Sequence, residues 1–129
     1  MIYVDTSVVL AQLLSEDRRP PAALWSEMVV ASRLLEYESW NRIHARGLTH
    51  SHAEPLQLLL GRFAFLELTG AVLARALEPF PEPVRTLDGL HLASIEFLRE
   101  RNQDVRLATY DPRMVAAAGH IGIPVLELS

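Results

Sequence analysis

Residues 1–14, MIYVDTSVVLAQLL, decide the fold of this chain. Their first part, the apolar and β-prone run Ile2–Val4, predicts a short strand that is buried on both faces. Asp5 follows at once, so a carboxylate stands where the strand ends. Ligands of open parallel sheets bind at the carboxyl ends of the strands, which makes this position suitable for chemistry. The Asp-Thr-Ser sequence at 5–7 is equally suited to cap a helix predicted over 8–14, and the local pattern leaves both interpretations open.

The composition indicates a single folded domain over 1–129. The chain is 50% hydrophobic and its mean hydropathy is +0.14, which is enough apolar surface for a core. Its apolar runs are far shorter than the roughly 18 residues that span a membrane, and its start lacks the basic region of a secretion signal. Without cysteine it has no disulfide and no thiolate metal site. We therefore expect a soluble, cytoplasmic protein.

The charge balance excludes a broadly basic surface. The net charge is −4 and the pI is about 5.7, so the chain is not a general binder of polyanions, although a small enzyme needs only a local basic region. All twelve basic residues are arginine, and coding bias is the simplest explanation. The planar guanidinium also suits phosphate and carboxylate partners. Six arginines are available for such partners: Arg18, Arg19, Arg42, Arg46, Arg85 and Arg113.

Strands and helices alternate along the whole chain. The predicted strands cover 2–4, 29–32, 63–69, 105–109 and 124–128. The predicted helices cover 8–14, 20–28, 33–47, 49–61, 70–78, 87–101 and 111–118. We expect the strand over 63–69 to be buried. Alternation of this kind predicts βαβ units, and therefore an α/β fold with a parallel sheet covered by helices on both faces.

Two glutamates follow the second predicted strand. Glu36 and Glu38 are two residues apart on a helix and point to nearly opposite sides, so at most one of them can face Asp5. A carboxylate in the first helical turn, such as Glu36, is stabilised by the helix dipole by roughly 0.3 to 1 kcal/mol. Glu38 gains less from the dipole and needs another reason to be there. Periodicity does not choose between the two.

Two aspartates stand at the beginning of later helices. Asp88 follows Thr86, and the pair is explained locally by a threonine cap and an acid that complements the helix dipole. Asp111 precedes a proline, which is the usual arrangement of an N-cap and a first helical residue. His91, one turn beyond Asp88, is interpreted as a packed or hydrogen-bonded core histidine.

These acids would suit a hard divalent cation if they met in one place. Mg²⁺ and Mn²⁺ prefer oxygen ligands, and crowded carboxylates cannot all stay ionised without positive charge between them. Because the chain has no histidine or cysteine cluster, zinc fits less well. One or two such ions can activate water and neutralise the leaving oxygen in phosphodiester hydrolysis. The acids therefore predict a site for phosphoryl transfer.

Four motifs resemble one known family. They are V-D-T-S at 4–7, S-R-L-L-E-Y-E-S-W at 32–40, R-T-L-D-G-L-H-L-A-S at 85–94 and L-A-T-Y-D-P-R-M at 107–114. In this order they are similar to the PIN domain, and specifically to the VapC-like toxins of type II toxin–antitoxin pairs. The resemblance covers nearly the whole chain. It implies a three-layer α/β/α sandwich with a central parallel sheet of about five strands, and a Mg²⁺- or Mn²⁺-dependent endoribonuclease.

The resemblance also assigns site residues. The four acids that bind the catalytic metal in the family fall on these positions: Asp5, Glu38, Asp88 and Asp111. It thus selects Glu38 over Glu36. The hydroxyl that follows the first acid matches Thr6 or Ser7, which would help to position metal or water. Family members usually carry alanine at the position of Gly89.

The resemblance further implies an RNA substrate, a homodimer and a cognate antitoxin. The C-terminal segment of such an antitoxin wraps the toxin and places a basic side chain in the acidic cleft, where it would meet strong negative charge. Trp25 and Trp40, if exposed, would serve as apolar contacts for that segment. The alternative for both is ordinary core packing.

Two other functions stay open at this point. A catalytically silent PIN-like module would only bind a partner or RNA, although the acids at all four positions speak against it. An aspartyl-phosphate phosphotransfer domain would use Asp5 as its nucleophile. The sequence offers no second aspartate two residues later and no lysine for the phosphoryl group.

Overall fold

The computed structural model describes residues 1–14 and 17–128 of the chain. Its elements follow in this order: β1 (Ile2–Val4), α1 (Thr6–Leu14), a short 3₁₀ helix (Ala22–Ser26), β2 (Val29–Ser32), α2 (Arg33–Ala45), α3 (Thr49–Leu60), β3 (Ala64–Leu66), α4 (Gly70–Leu77), α5 (Thr86–Glu100), β4 (Arg106–Ala108) and α6 (Pro112–His120).

The sheet is parallel throughout, with the strand order β3-β2-β1-β4. Tyr3 in β1 is paired with Val30 in β2 and with Leu107 in β4, so β1 lies in the middle. The predicted parallel α/β fold is therefore confirmed. Because all strands run the same way, their carboxyl ends lie at one edge of the sheet.

The alternation of side chains along β1 divides the core into two layers. Ile2 and Val4 belong to one apolar cluster, which α1, α2 and α3 cover. Tyr3 and Val30 belong to a second cluster, on the other face, which α5 and α6 cover. The predicted three-layer α/β/α sandwich is confirmed, since each face of the sheet is buried by its own set of helices.

The predicted strand over 124–128 is reduced to a single bridge between Val125 and Leu107. Leu107 donates to Pro124 (N···O 2.9 Å) and accepts from Leu126 (2.8 Å), and there the ladder stops. Proline has no N–H to extend the ladder. The sheet therefore has four strands within the described residues rather than about five.

The predicted burial of the strand over 63–69 is wrong. The strand is shorter, β3, and its first residue, Ala64, is exposed. Among the described residues, β3 is the outer strand of the sheet and has a neighbour, β2, on only one side. The predicted helix over 20–28 is likewise only the 3₁₀ helix, and Thr86 does not cap α5, because the capping position is Arg85 without a side-chain bond.

Trp25 and Trp40 are both partly buried against the first apolar cluster, which agrees with the alternative of core packing. Trp25 donates from Nε1 to Gln12 Oε1 at 3.1 Å, and Trp40 stacks on His44. Core packing therefore explains both side chains.

Within the residues described here, no helix combines the length and the apolar character that a membrane crossing needs.

Candidate active site

The four predicted acids line one cleft at the carboxyl ends of the strands. Asp5 directly follows β1, and Asp111 follows β4 as the N-cap of α6. Glu38 lies on α2, which β2 leads into, and Asp88 lies in the first turn of α5. The cleft has a volume of about 610 Å³. We call it the acidic cleft. Besides a fifth acid, Asp17, its lining includes all six acids and hydroxyls that the sequence proposed: Asp5, Thr6, Ser7, Glu38, Asp88 and Asp111.

Asp5 is held by one of its two carboxylate oxygens. Its Oδ2 accepts hydrogen bonds from Ser7 Oγ at 2.7 Å and from Thr109 Oγ1 at 2.8 Å. Ser7 Oγ in turn accepts from the backbone N–H of Tyr110 at 3.0 Å. In the part of the chain that the structure describes, Oδ1 accepts no hydrogen bond from a side chain. The carboxylate is thus fixed in place with one oxygen available to a ligand.

Glu38 is held in the same way. Its Oε1 accepts from Thr6 Oγ1 at 2.9 Å and lies 2.6 Å from Nε2 of His91, a side chain that is only 1% exposed. No side chain among the described residues donates to Oε2. Glu36, by contrast, has a side chain that is 41% exposed and forms a long ion pair with Arg33, 3.6 Å between nitrogen and oxygen. The structure therefore places Glu38, and not Glu36, in the acidic cleft.

The two remaining acids are arranged differently. Asp111 Oδ1 accepts from the backbone N–H of Arg113 at 2.9 Å, so the predicted N-cap is confirmed. Asp88 accepts no hydrogen bond from any described side chain. Burial, together with the negative charges of Asp111 and Asp5, raises the pKa of the Asp88 carboxyl. Complementarity to the helix dipole alone would act in the opposite direction, so burial and the neighbouring acids together outweigh it.

The donor set suits a hard divalent cation. Carboxylates and hydroxyls are oxygen ligands, and a bound cation would favour the charged form of Asp88, whose pKa is raised by burial and by the neighbouring acids. Among the described residues, however, no three acidic or histidine side chains are close enough together to form a ready metal-binding group. The chemistry of the residues therefore fits Mg²⁺ or Mn²⁺, and binding would need the side chains to draw together.

Arginines surround the acidic cleft. Five of the six proposed from the sequence line it: Arg18, Arg42, Arg46, Arg85 and Arg113. Within the described residues, the side chains of Arg42 and Arg85 have no hydrogen-bond or ion-pair partner. Arg18 lies over the ring of Tyr110, 5.4 Å from its centroid. Tyr37, which is 64% exposed, also lines the cleft and offers an aromatic face. An acidic centre is thus bordered by groups that suit phosphates.

Sequence reasoning missed two side chains near the site and underestimated a third. Thr109 donates to Asp5, Tyr3 contacts His91, and His91 contacts Glu38. The interpretation of His91 as a hydrogen-bonded core residue is correct, but its partner is a site residue. Thr109 carried a signal, since it is the first residue after β4 just as Asp5 is the first residue after β1.

Several known proteins are similar to this chain. A relative, "Ribonuclease VapC47" of Mycobacterium tuberculosis (strain CDC 1551 / Oshkosh), is 29% identical over 95% of this chain and 93% of its own length. The crystal structure of VapBC2 from Rickettsia felis, bound to a DNA fragment from the promoter, superposes with a TM-score of 0.74 at 12% identity, over 100% of both chains. The Mycobacterium tuberculosis toxin VapC20, described as cleaving the sarcin-ricin loop, gives 0.68 at 19% identity, over 91% of this chain and 95% of that one.

At such low identity the two crystal structures show a shared fold and no more. The family is shown by a model described as PIN domain, which matches residues 2–120 and so includes all four acids of the cleft. The chain belongs to the PIN domain family.

Proposed function

We propose that the chain is a metal-dependent endoribonuclease that acts as the toxin of a type II toxin–antitoxin pair. One observation carries the proposal: four acids from separate parts of the chain line a single cleft that arginines border. The relative named a ribonuclease, which aligns over nearly the whole chain, supports the same activity.

In this proposal the four acids Asp5, Glu38, Asp88 and Asp111 hold a Mg²⁺ or Mn²⁺ ion. Thr6 and Ser7 orient two of the acids, because each donates to one carboxylate oxygen, Glu38 Oε1 and Asp5 Oδ2 respectively. When bound, such an ion supplies positive charge that stabilises the phosphate in the transition state and lowers the pKa of a nearby water.

The arginines would bind the RNA backbone. Arg42 on α2 and Arg85 before α5 are exposed, and neither side chain has a partner among the described residues. Guanidinium groups bind phosphate oxygens in a bidentate manner. A local basic border of this kind lets an acidic protein approach a polyanion, because the attraction acts over about one Debye length, roughly 8 Å at physiological salt.

The partners of the proposal are an RNA substrate, a second copy of the chain and a cognate antitoxin. The carboxylates of the acidic cleft would attract a basic side chain of the antitoxin as well as a metal ion. An antitoxin arginine in the cleft would then exclude the ion. This accounts for inhibition without any change of fold.

The proposal is tested by cleavage of total RNA in Mg²⁺ or Mn²⁺, with and without EDTA. Asp5→Asn should lower kcat by at least about 10³-fold, because it removes a charged ligand of the metal ion that stabilises the transition state. Glu36→Gln is the matched control, because it removes an acid outside the cleft and should cleave as the wild type does. Cleavage by Asp5→Asn at the wild-type rate would disprove the proposal.

A second candidate is a catalytically silent binding module. The observation in its favour is that the described acids do not form a ready metal-binding group. Calorimetric titration with Mn²⁺ separates the two candidates. Binding that is lost in Asp5→Asn supports the nuclease, and no binding to the wild-type protein supports the silent module.

A further inference from the structure

A chain of hydrogen bonds runs through the core to Glu38. Tyr3 and His91 are both fully buried, and Tyr3 Oη lies 2.7 Å from His91 Nδ1. The other ring nitrogen of His91, Nε2, lies 2.6 Å from Glu38 Oε1. At the far end, the backbone N–H of Ser32 donates to Tyr3 Oη at 3.1 Å. The chain links β2, β1, α5 and α2 in a single path.

The direction of donation along this path follows from its two ends. Tyr3 Oη accepts from the N–H of Ser32, and two acceptors are within reach of its own proton: His91 Nδ1 and the hydroxyl of Ser94, which donates its own hydrogen to Leu90. A neutral imidazole nitrogen is the stronger acceptor of the two, so the proton goes to His91 Nδ1. Burial raises the pKa of the Tyr3 hydroxyl, which keeps this proton in place. If Nδ1 accepts, the ring hydrogen of a neutral His91 is on Nε2, where it donates to the carboxylate of Glu38.

Packing alone does not account for this pair. Two apolar rings would fill the same space, whereas buried polar groups are unfavourable unless they are hydrogen-bonded. Tyr3 and His91 also meet edge to face, with ring centroids 5.8 Å apart and an angle of 77°. Together with the hydrogen bonds, this contact fixes the orientation and the position of the imidazole ring next to Glu38.

We propose that Tyr3 and His91 are positioning residues, which hold Glu38 by Oε1 through the Nε2–H tautomer of His91 and leave Oε2 available to the ligand of the acidic cleft. The identity of that ligand as a divalent cation rests on the proposed function. The hydrogen-bond chain itself does not. Asp5 provides a parallel, since two hydroxyl donors hold its Oδ2 in the same manner.

Three substitutions test the positioning role. Tyr3→Phe removes only the hydroxyl, and His91→Phe removes both ring nitrogens. Each should weaken Mn²⁺ binding and lower kcat by about 10- to 100-fold, as loss of a partner of a metal ligand generally does, with the KM for RNA unchanged. His91→Gln keeps an amide donor near the position of Nε2 and should recover part of both losses.

Ser39→Ala is the matched control. Ser39 is next to Glu38 on α2, and its buried hydroxyl has no hydrogen-bond partner among the described residues. This variant should match the wild type in Mn²⁺ affinity and in kcat. Melting temperatures accompany every measurement. If His91→Phe does not fold, the Mn²⁺ affinity and kcat of Tyr3→Phe and His91→Gln test the positioning role.

Nitrogen-15 spectroscopy of the wild-type ring gives a readout that needs no metal and no RNA. We expect Nε2 of His91 to carry the hydrogen at neutral pH, and a hydrogen on Nδ1 would overturn the proposal. Unchanged Mn²⁺ affinity and kcat in folded Tyr3→Phe and His91→Phe would overturn it as well. A wild-type protein that neither binds Mn²⁺ nor cleaves RNA would instead overturn the proposed function, and the ring spectrum would still decide whether the hydrogen-bond chain exists.

Discussion

The two halves of the acidic cleft differ in how firmly their acids are held. Asp5 and Glu38 each have one carboxylate oxygen fixed by two side-chain partners, through hydroxyls and the His91 ring. Asp111 is held as a helix cap by the backbone N–H of Arg113 and by a long ion pair, 3.6 Å, with the side chain of the same residue, whereas Asp88 accepts a hydrogen bond from no described side chain. Burial and neighbouring acids raise the pKa of Asp88. The half with Asp5 and Glu38 is thus organised before a ligand arrives, and the half with Asp88 and Asp111 is held more loosely.

This difference explains why four acids can share a cleft without forming a metal-binding group in advance. A site with all carboxylates fixed close together would be strongly destabilised without its ion, since like charges at short range repel. Holding two acids and leaving two adjustable reduces that repulsion. Asp5 and Glu38, the held pair, then keep two ligand oxygens in fixed positions. Asp88 and Asp111, the adjustable pair, add negative charge when a cation binds.

Among the tests of this difference, the largest expected loss of Mn²⁺ affinity and kcat comes from removing a hydrogen bond that holds Asp5. Thr109→Val keeps the size of the side chain and removes a hydroxyl that donates to Asp5 Oδ2 and also accepts from the backbone N–H of Asp111. We expect Mn²⁺ affinity and kcat to fall by about 10- to 100-fold. Thr109→Ser, which keeps the hydroxyl, should recover most of the loss.

Thr86→Val is the matched control for Thr109→Val. It lies near Asp88, which together with Asp111 forms the half of the cleft that we call the adjustable half. Thr86 is exposed in the first turn of α5, two residues before Asp88, and does not line the acidic cleft. The same chemical change there should leave Mn²⁺ affinity within about two-fold of the wild type, a shift below 0.5 kcal/mol. If both variants lost affinity equally, the distinction between the two halves would be wrong.

The sequence predicted the fold well where the signal is local. Alternating strand and helix patterns identified the parallel sheet, because periodicity is carried by neighbouring residues. It did not predict the outer position of β3 or the loss of the strand over 124–128, because both depend on which strands become neighbours. The order of strands is a property of the whole sheet.

The same division applies to the candidate site. The acids were proposed because each stands near a strand end or a helix start, or matches a motif. Their holders were missed because the partners are far apart in number, as with Thr109 and Asp5 or His91 and Glu38. Such pairs are set by the packing of elements, which a single sequence does not reveal.

A substitution with a smaller expected effect tests how Asp88 and Asp111 approach a bound ion. Either the backbone of α5 moves, or only the side chains move. Gly89 lies inside α5, and an added Cβ would meet Val84 at 3.4 Å and Phe80 at 3.6 Å, which are ordinary contacts. Gly89→Ala should therefore stabilise the protein by about 0.5 to 1 kcal/mol and raise the melting temperature by about 2 to 5 °C.

If only side chains move, Gly89→Ala leaves Mn²⁺ affinity within about two-fold of the wild type, a shift below 0.5 kcal/mol. Weaker binding in a more stable protein would mean that α5 itself bends when the ion binds. Calorimetry and thermal melts on the same sample separate these outcomes.

The smallest expected effect concerns Asp88 itself. Because its pKa is raised in the folded protein, the folded state binds a proton more readily than the unfolded state. Stability therefore falls as the pH rises through the interval between the ordinary carboxyl pKa and the raised value. Asp88→Asn lacks this fall. Relative to the wild type, its melting temperature should be equal below that interval and higher at pH 7.

Addition of Mn²⁺ should reverse this order. An ion that binds only the folded wild-type protein raises its melting temperature by mass action, whereas Asp88→Asn gains less because it lacks one ligand. The variant would then be the more stable protein without Mn²⁺ and the less stable one with it. If Asp88→Asn stayed more stable at every Mn²⁺ concentration, the crowded charge of Asp88 would have no role in binding the ion, and the adjustable half would be reduced to Asp111.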